Sequence, residues 1–242
     1  MNSGEVDRNR APARLGSYVI ERELGRGGMG IVYLGLDPRL SRQVAIKVLS
    51  RQFLHHRDLR RRFEREARLL AAVNHPNVVT IHSIEETAGE ILFVIEFLAG
   101  AGLDERLAQG RMSVEEAVRL GTEVAAGLEA AHAHGVIHRD LKPANVRASA
   151  SGTWKVLDFG LARPMRNVEG PELTMAGEIM GTPGYMSPEQ LRGEELDAAT
   201  DTWALGCLLF ECLSGTRAFG GGNFVERAAA ILTSEPDWEA LP

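Results

Sequence analysis

The stretch Val136-Ile137-His138-Arg139-Asp140-Leu141-Lys142-Pro143-Ala144-Asn145-Val146 constrains this chain more than any other. Between two apolar ends it crowds a histidine, two cations, a carboxylate and an amide, with Pro143 fixing the backbone among them. A buried or half-buried loop must pair such groups or use them to bind something charged. Arg139 and Lys142 suit an anion, whereas Asp140 and Asn145 suit a cation. A phosphate with its magnesium meets both demands.

Upstream, Tyr18-Val19-Ile20 and Ile31-Val32-Tyr33-Leu34 read as strands around Leu24-Gly25-Arg26-Gly27-Gly28-Met29-Gly30. Gly25, Gly27 and Gly30 form a G-x-G-x-x-G pattern, and a missing Cβ lets the backbone approach a ligand. A dinucleotide fold needs a helix after such a turn. Here β-branched Ile31 and Val32 follow, which leaves a ligand-covering hairpin or a plain glycine-rich one. Val44 to Leu49 is a third strand, apolar except for Lys47, which must snorkel or pair. Leu59, Phe63, Ala67 and Leu70 mark one face of a helix. Glu66 points along that face and Glu64 away from it, so an ion pair of Lys47 with Glu66 is expected. The alternative is an exposed Glu66 on a helix that packs differently. Val78 to Ile84 and Glu90 to Phe97 read as two further strands, which makes five.

Beyond the connector at Leu98 to Gly102 the pattern turns helical. Ser113-Val114-Glu115-Glu116 is a capping box. Ala117, Leu120, Val124, Leu128 and Ala131 then form an apolar stripe that Gly135 ends. After the polar loop, Val146 to Ala148 and Trp154 to Leu157 form a hairpin. Asp158-Phe159-Gly160 follows, where the carboxylate is either a metal ligand or an ordinary turn aspartate. Leu161 to Met180 has no periodicity and reads as a long functional loop. Thr200 to Leu213 is apolar nearly all round, which predicts a helix buried on every side. Asp201 at its start either caps that helix or anchors the polar loop through its backbone amides. Glu226 to Leu232 reads as a short helix.

Composition narrows the partners. The net charge of −6 supplies no basic footprint for nucleic acid. The cluster Arg57 to Arg65 is diluted by acids and reads as a solvated helix face. Cys207 and Cys212 lie in an apolar run and read as buried thiols of a reducing compartment. No apolar run has the length of a signal peptide or a membrane span. A cytoplasmic location is therefore expected. Residues 1–17 lack periodicity and are expected to be a flexible tail.

Taken together these motifs resemble the protein serine/threonine kinase family, in its bacterial eukaryotic-like branch. The resemblance rests on Gly25-x-Gly27-x-x-Gly30-x-Val32, Val44-Ala45-Ile46-Lys47, His138 to Asn145, Asp158-Phe159-Gly160 and Ser187-Pro188-Glu189, in that order. It implies an α+β, bilobal kinase-like fold. Residues 18–97 would form a small antiparallel five-stranded lobe with one helix, and 98–242 a mostly helical lobe. It also implies ATP-dependent phosphorylation of serine or threonine on proteins, with Mg2+ as metal and Mn2+ as the alternative. Leu24, Gly25, Arg26, Gly27, Gly28, Met29, Gly30, Ile31 and Val32 would cover the nucleotide. Lys47 would hold the α- and β-phosphates and pair with Glu66. Ala45, Ile95 and the backbone of Glu96 and Leu98 would surround the adenine. Asn145 and Asp158 would hold metal, Asp140 would take the hydroxyl proton, and Lys142 would steady the γ-phosphate. Lys142 with Thr182 fits the serine/threonine pattern.

Arg139 beside Asp140 implies regulation by a loop phosphate, with Thr174 as the expected autophosphorylation site and a transient dimer as the assembly that performs it. Two departures stand out. Arg147 sits where many relatives put leucine under the adenine, and it either stacks there or turns outward. The family's large lobe also continues past the position of Pro242, with an arginine that pairs with the glutamate matching Glu189. The resemblance therefore implies a C-terminally incomplete lobe and a weakly stable piece, since half of a buried ion pair costs about 3–5 kcal/mol. The missing part could carry a membrane anchor. The competing readings are a nucleotide-binding pseudokinase scaffold and a small-molecule phosphotransferase. The segment Gly181 to Glu189, which resembles a protein-docking loop, disfavours the latter.

Overall fold

The computed structural model describes residues 12–27, 30–49, 65–87, 89–159 and 183–242. Expectations for Gly28, Met29, Thr174 and Thr182 fall outside them. The chain divides into two units, Met1–Arg61 with Thr80–Phe97, and Arg62–Val79 with Leu98–Pro242.

The first unit is an antiparallel sheet in the order β1-β2-β3-β4-β6-β5. Its strands are β1 (Arg14–Leu15), β2 (Tyr18–Gly27), β3 (Gly30–Asp37), β4 (Arg42–Leu49), β5 (Ile81–Thr87) and β6 (Glu90–Glu96). That is six strands where the sequence suggested five. The extra one is β1, so the expected flexible tail is already ordered by Arg14, which pairs with Val19 while Ala13 accepts from the Ile20 N–H. Alternation sorts the two faces. Val44 and Ile46 join Tyr18, Leu92 and Val94 in one apolar cluster, with Leu15 and Ile20 packed against it. Leu15 thus gives β1 a reason to form, since it covers apolar surface that would otherwise face water.

The strand expected at Val78 to Ile84 begins later, at Ile81. Residues 77–79 are claimed elsewhere. Val79 donates to Val156 O, Val156 donates to Asn77 O, and the Asn77 side chain donates to Trp154 O. These bonds fix 62–79 in the second unit, whereas the sequence reading placed it in a contiguous first lobe.

In the second unit, helical residues 65–71 (α1) bury Ala67 and Leu70, the expected apolar face. Short α2 (Leu103–Leu107) precedes α3 (Val114–His132). The Ser113 hydroxyl accepts from Glu116 N–H, and Glu116 reaches back to Ser113 N–H, which completes the predicted capping box. The whole stripe Ala117, Leu120, Val124, Leu128, Ala131 is buried. The hairpin β7 (Val146–Ala148) and β8 (Trp154–Val156) packs on this helix. After α4 (Pro188–Arg192) comes α5 (Ala199–Ser214), then α6 (Phe224–Thr233).

Helix α5 departs from the expectation of burial on all sides. Ala204, Leu208 and Cys212 are buried, but Trp203, Leu205 and Leu209 are only half-buried and Gly206 is exposed. One flank borders an apolar cavity of about 640 Å3 that Trp203, Phe210, Phe219 and Trp238 help to line. Hydrophobicity around the whole helix does not say which flank borders that cavity. Cys207 and Cys212 are free, buried thiols, and burial pushes both up to about 12. No helix among the described residues is long and apolar enough to cross a membrane.

Candidate active site

The polar loop is suspended from Asp201, at the first turn of α5. Both carboxylate oxygens work: Oδ2 accepts from His138 N–H at 2.8 Å and lies 2.7 Å from His132 Nε2, and Oδ1 accepts from Arg139 N–H at 2.8 Å. Of the two roles open to Asp201, anchoring is the one adopted; Ala198 is the N-cap residue and offers no side-chain cap. Burial alone would raise the Asp201 carboxyl, but His132 and the two amides outweigh it and hold the group below its usual value.

His138 is fully buried, and desolvation lowers its pKa, which keeps the ring neutral. Its bonds specify one tautomer. Nδ1 accepts from Asp140 N–H at 3.1 Å, so Nε2 carries the proton and donates to Leu157 O at 2.8 Å. Arg139 adopts φ +62, a left-handed value that is costly for a side chain of this size. It is held there from both sides, by Asp201 on its N–H and by Gln190 Nε2 on its carbonyl at 2.8 Å.

This frame sets Asp140, Lys142 and Asn145 together. Lys142 Nζ lies 2.9 Å from Asp140 Oδ2. Asn145 Nδ2 donates to Asp140 O at 2.8 Å. A carbonyl can only accept, so the amide orientation is fixed, and its oxygen is the atom left to face a cation. Leu157 N–H donates to Asn145 O at 2.8 Å, which ties the end of β8 to Asn145. Asp158 follows at once, exposed and with φ +47. Of the three non-glycine residues with positive φ among the described ones, two are Arg139 and Asp158. Strain concentrated in this way marks a site where position matters. Asn145 and Asp158 offer hard oxygen donors, the kind that suits a divalent ion such as magnesium or manganese. Among the described residues no cluster of three His, Cys, Asp or Glu side chains offers a metal site complete in itself.

Glu66 on α1 pairs with a partner that the sequence did not suggest: Arg139 Nη1 lies 3.1 Å from Glu66 Oε1. Arg147 turns its guanidinium to Leu98 O, at 3.2 Å, and to Glu105 Oε1, at 3.3 Å. Glu189 does not stand alone either. It is half-buried, Thr200 Oγ1 donates to it at 2.8 Å, and although burial pulls its carboxyl upward, hydrogen bonds leave it below its usual value. The figure expected for half of a buried ion pair presumes an uncompensated buried charge, whereas Glu189 is half-buried and hydrogen-bonded. Sequence reasoning missed Gln190 as a brace, although Ser187-Pro188-Glu189-Gln190 is itself a legible capping box.

In the first unit, register puts Val32 and Phe93 opposite Lys47, and Ile95 opposite Ala45, so these five share one face of the sheet. The glycine hairpin pairs Gly25 with Val32 and Gly27 with Gly30. Its glycines differ in kind. A Cβ on Gly30, at φ +145, would lie 1.9 Å from Val48 O, so that glycine is demanded by the sheet. Gly25 and Gly27 have nothing within 4 Å of a Cβ. Leu24 is exposed, and Arg26 pairs with Glu23 at 2.8 Å. At the end of β6, Glu96 N–H donates to Thr80 O at 2.9 Å, so that amide is already engaged.

Comparison with known proteins points the same way. The family described as protein kinase domain matches residues 18–237. Serine/threonine-protein kinase PknJ of Mycobacterium tuberculosis is 41% identical over 225 residues, which cover 90% of this chain and 38% of that protein. Probable serine/threonine-protein kinase PknB of Lactococcus lactis is 41% identical over 230 residues, covering 91% and 36%. Serine/threonine-protein kinase pkn2 of Myxococcus xanthus is 41% identical over 221 residues, covering 89% and 27%. The chain thus spans roughly a third of the length of the curated relatives it matches. Among solved structures, a mutant PknI kinase domain of Mycobacterium tuberculosis matches with a TM-score of 0.68 and 28% identity, covering 84% of this chain and 76% of that one.

Proposed function

Because the chain belongs to the protein kinase family, we propose that it transfers the γ-phosphoryl group of ATP to serine or threonine hydroxyls of proteins. The observation that carries this reading is the trio Asp140, Lys142 and Asn145, held together by an ion pair and a hydrogen bond as the placement needs of phosphoryl transfer demand. Asp140 accepts the proton of the attacking hydroxyl as the new O–P bond forms and the bond to ADP breaks. Lys142 balances charge on the transferred group. Lys47 takes the α- and β-phosphates, and the open space above Gly25 and Gly27 admits the triphosphate. Asn145 and Asp158 would hold a divalent ion, which neutralises phosphate charge when bound; magnesium is the expected metal. Such a transition state needs placement and charge more than covalent help.

Arg139 and Glu66 supply a form of control. Arg139 is engaged by Glu66 in this structure. A phosphate on Thr174 would draw Arg139 away and release Glu66 to pair with Lys47. Autophosphorylation of this kind calls for a transient dimer. Thr174→Ala is expected to lower activity and phosphate stoichiometry; full activity with unchanged stoichiometry would contradict it. A cytoplasmic catalytic domain acting on protein substrates fits this reading.

The test is transfer of labelled γ-phosphate to protein. Asp140→Asn and Lys47→Met are each expected to lower it by about 100-fold or more. Nucleotide binding without any transfer by the wild type would favour a pseudokinase scaffold. Transfer to small alcohols in preference to protein would favour a small-molecule phosphotransferase.

A further inference from the structure

We propose that Arg147 is a positioning residue for nucleotide binding, which fixes the backbone of residues 98–105 and occupies the carbonyl of Leu98. The proposal rests on the kinase reading above. Arg147 lies on β7, two positions after Asn145, and forms an isolated antiparallel bridge with Gly102. Ala148 N–H donates to Ala101 O at 3.0 Å, so the main chains are joined as well. The approach is close. A Cβ on Gly100 would lie 2.4 Å from Ala148 O.

The side chain closes a ring of interactions. Its Nε donates to Leu98 O, and its Nη2 donates to Glu105 Oε1. The other oxygen of Glu105, Oε2, accepts from Gly102 N–H at 3.2 Å. Only a planar fork with separate donors reaches both acceptors at once, so lysine is no substitute. With side chains 37% and 54% exposed, the Arg147–Glu105 ion pair adds little stability. Its consequence is geometric. Leu98 O is already bonded, so of the two backbone groups of that residue the N–H is the one proposed to meet a nucleobase edge. Serving as a neutral apolar floor is therefore not the work of this side chain.

The experiment measures ADP affinity by calorimetry, ATP KM, kcat and melting temperature for the wild type, Arg147→Ala, Arg147→Lys and Glu105→Ala. Arg147→Ala and Glu105→Ala are expected to raise the ADP Kd and the ATP KM about three- to tenfold, the usual yield of a lost hydrogen bond, with kcat and melting temperature nearly unchanged. Arg147→Lys is expected to behave like Arg147→Ala. Unchanged Kd and KM in the alanine variants would overturn the proposal. So would a lowered melting temperature with unchanged KM, or full rescue by lysine. If the wild type itself binds no ADP, the kinase reading falls and takes this proposal with it; if it binds ADP and the variants match it, only this proposal falls.

Discussion

The polar loop and the glycine hairpin both belong to the proposed chemistry, yet they are built on opposite plans. The loop is held from every side: Asp201 grips two amides, His138 bridges Asp140 and Leu157, Gln190 braces the Arg139 carbonyl, and Asn145 grips Asp140. Its strained backbone persists because so many bonds determine it. The strand leading into the hairpin differs, with Gly25 and Gly27 facing open space and Arg26 paired with its exposed neighbour Glu23. The difference separates backbone that many bonds determine from backbone that few do. Groups that must meet a proton or a metal ion within a fraction of an ångström are preorganised. Backbone that must yield to a triphosphate is left uncovered.

The strongest way to break the comparison is to remove the loop's anchor. Asp201→Ala leaves the amides of His138 and Arg139 buried without acceptors and should cost about 3 kcal/mol of unfolding free energy, since each such group costs about 1–3 kcal/mol. Denaturant unfolding measures the stability, and kcat should fall with it as Asp140 loses its placement. A variant as stable and as active as the wild type would mean that the loop holds itself. Gly30→Ala attacks the hairpin where it is structural. A Cβ against Val48 O at φ +145 should cost about 2 kcal/mol or more, in the range of backbone strain with overpacking. The same unfolding curves check it.

A smaller effect follows from His138. Burial lowers its folded pKa below the ordinary imidazole value of about 6.5, so the unfolded chain binds the proton first as pH falls. Its contribution is complete above the unfolded pKa and is lost as pH drops below about 6.5, with a slope of at most about 1.4 kcal/mol per pH unit. Asp201 adds a second loss further down. Its folded pKa is depressed, so its stabilisation is present above the ordinary carboxylate range and is lost below it, as pH falls through the folded value. Melting temperature between pH 7 and about pH 2 should show the two phases, and His138→Gln should shrink the upper one, to which His82, also lowered by burial, contributes.

Much of this frame is legible in the chain before any coordinates. A capping box and a stripe at helical spacing placed α3, because both depend on neighbours three or four residues away. The loop's chemistry was visible because apolar flanks force crowded polar groups to have a use. Of the distant partners, only Asp201 is legible, as one of two roles open to it. Glu66 and Gln190, which also hold Arg139, lie far from it in sequence, where periodicity is silent. Strand β1 was hidden because two residues are too few to alternate. Val78 and Val79 read as strand because they are apolar, but Val79 N–H and Asn77 O are bonded to Val156 of β8. Gly25, Gly27 and Gly30 are alike as letters, and only the distance to Val48 separates them.

That last distinction yields the smallest effect on stability and the sharpest contrast. Gly27→Ala places its methyl in open space and needs no left-handed backbone. Within a strand, alanine even loses less chain entropy than glycine, so unfolding free energy should move by no more than about 0.5 kcal/mol. The same methyl stands where the phosphates are expected to lie against the main chain. ATP KM should therefore rise while the melting temperature holds, the reverse of Gly30→Ala, in which stability falls first. If Gly27→Ala proves as destabilising as Gly30→Ala, the hairpin is held along its whole length and the contrast with the polar loop disappears. If it leaves KM untouched, the nucleotide does not approach that stretch of backbone.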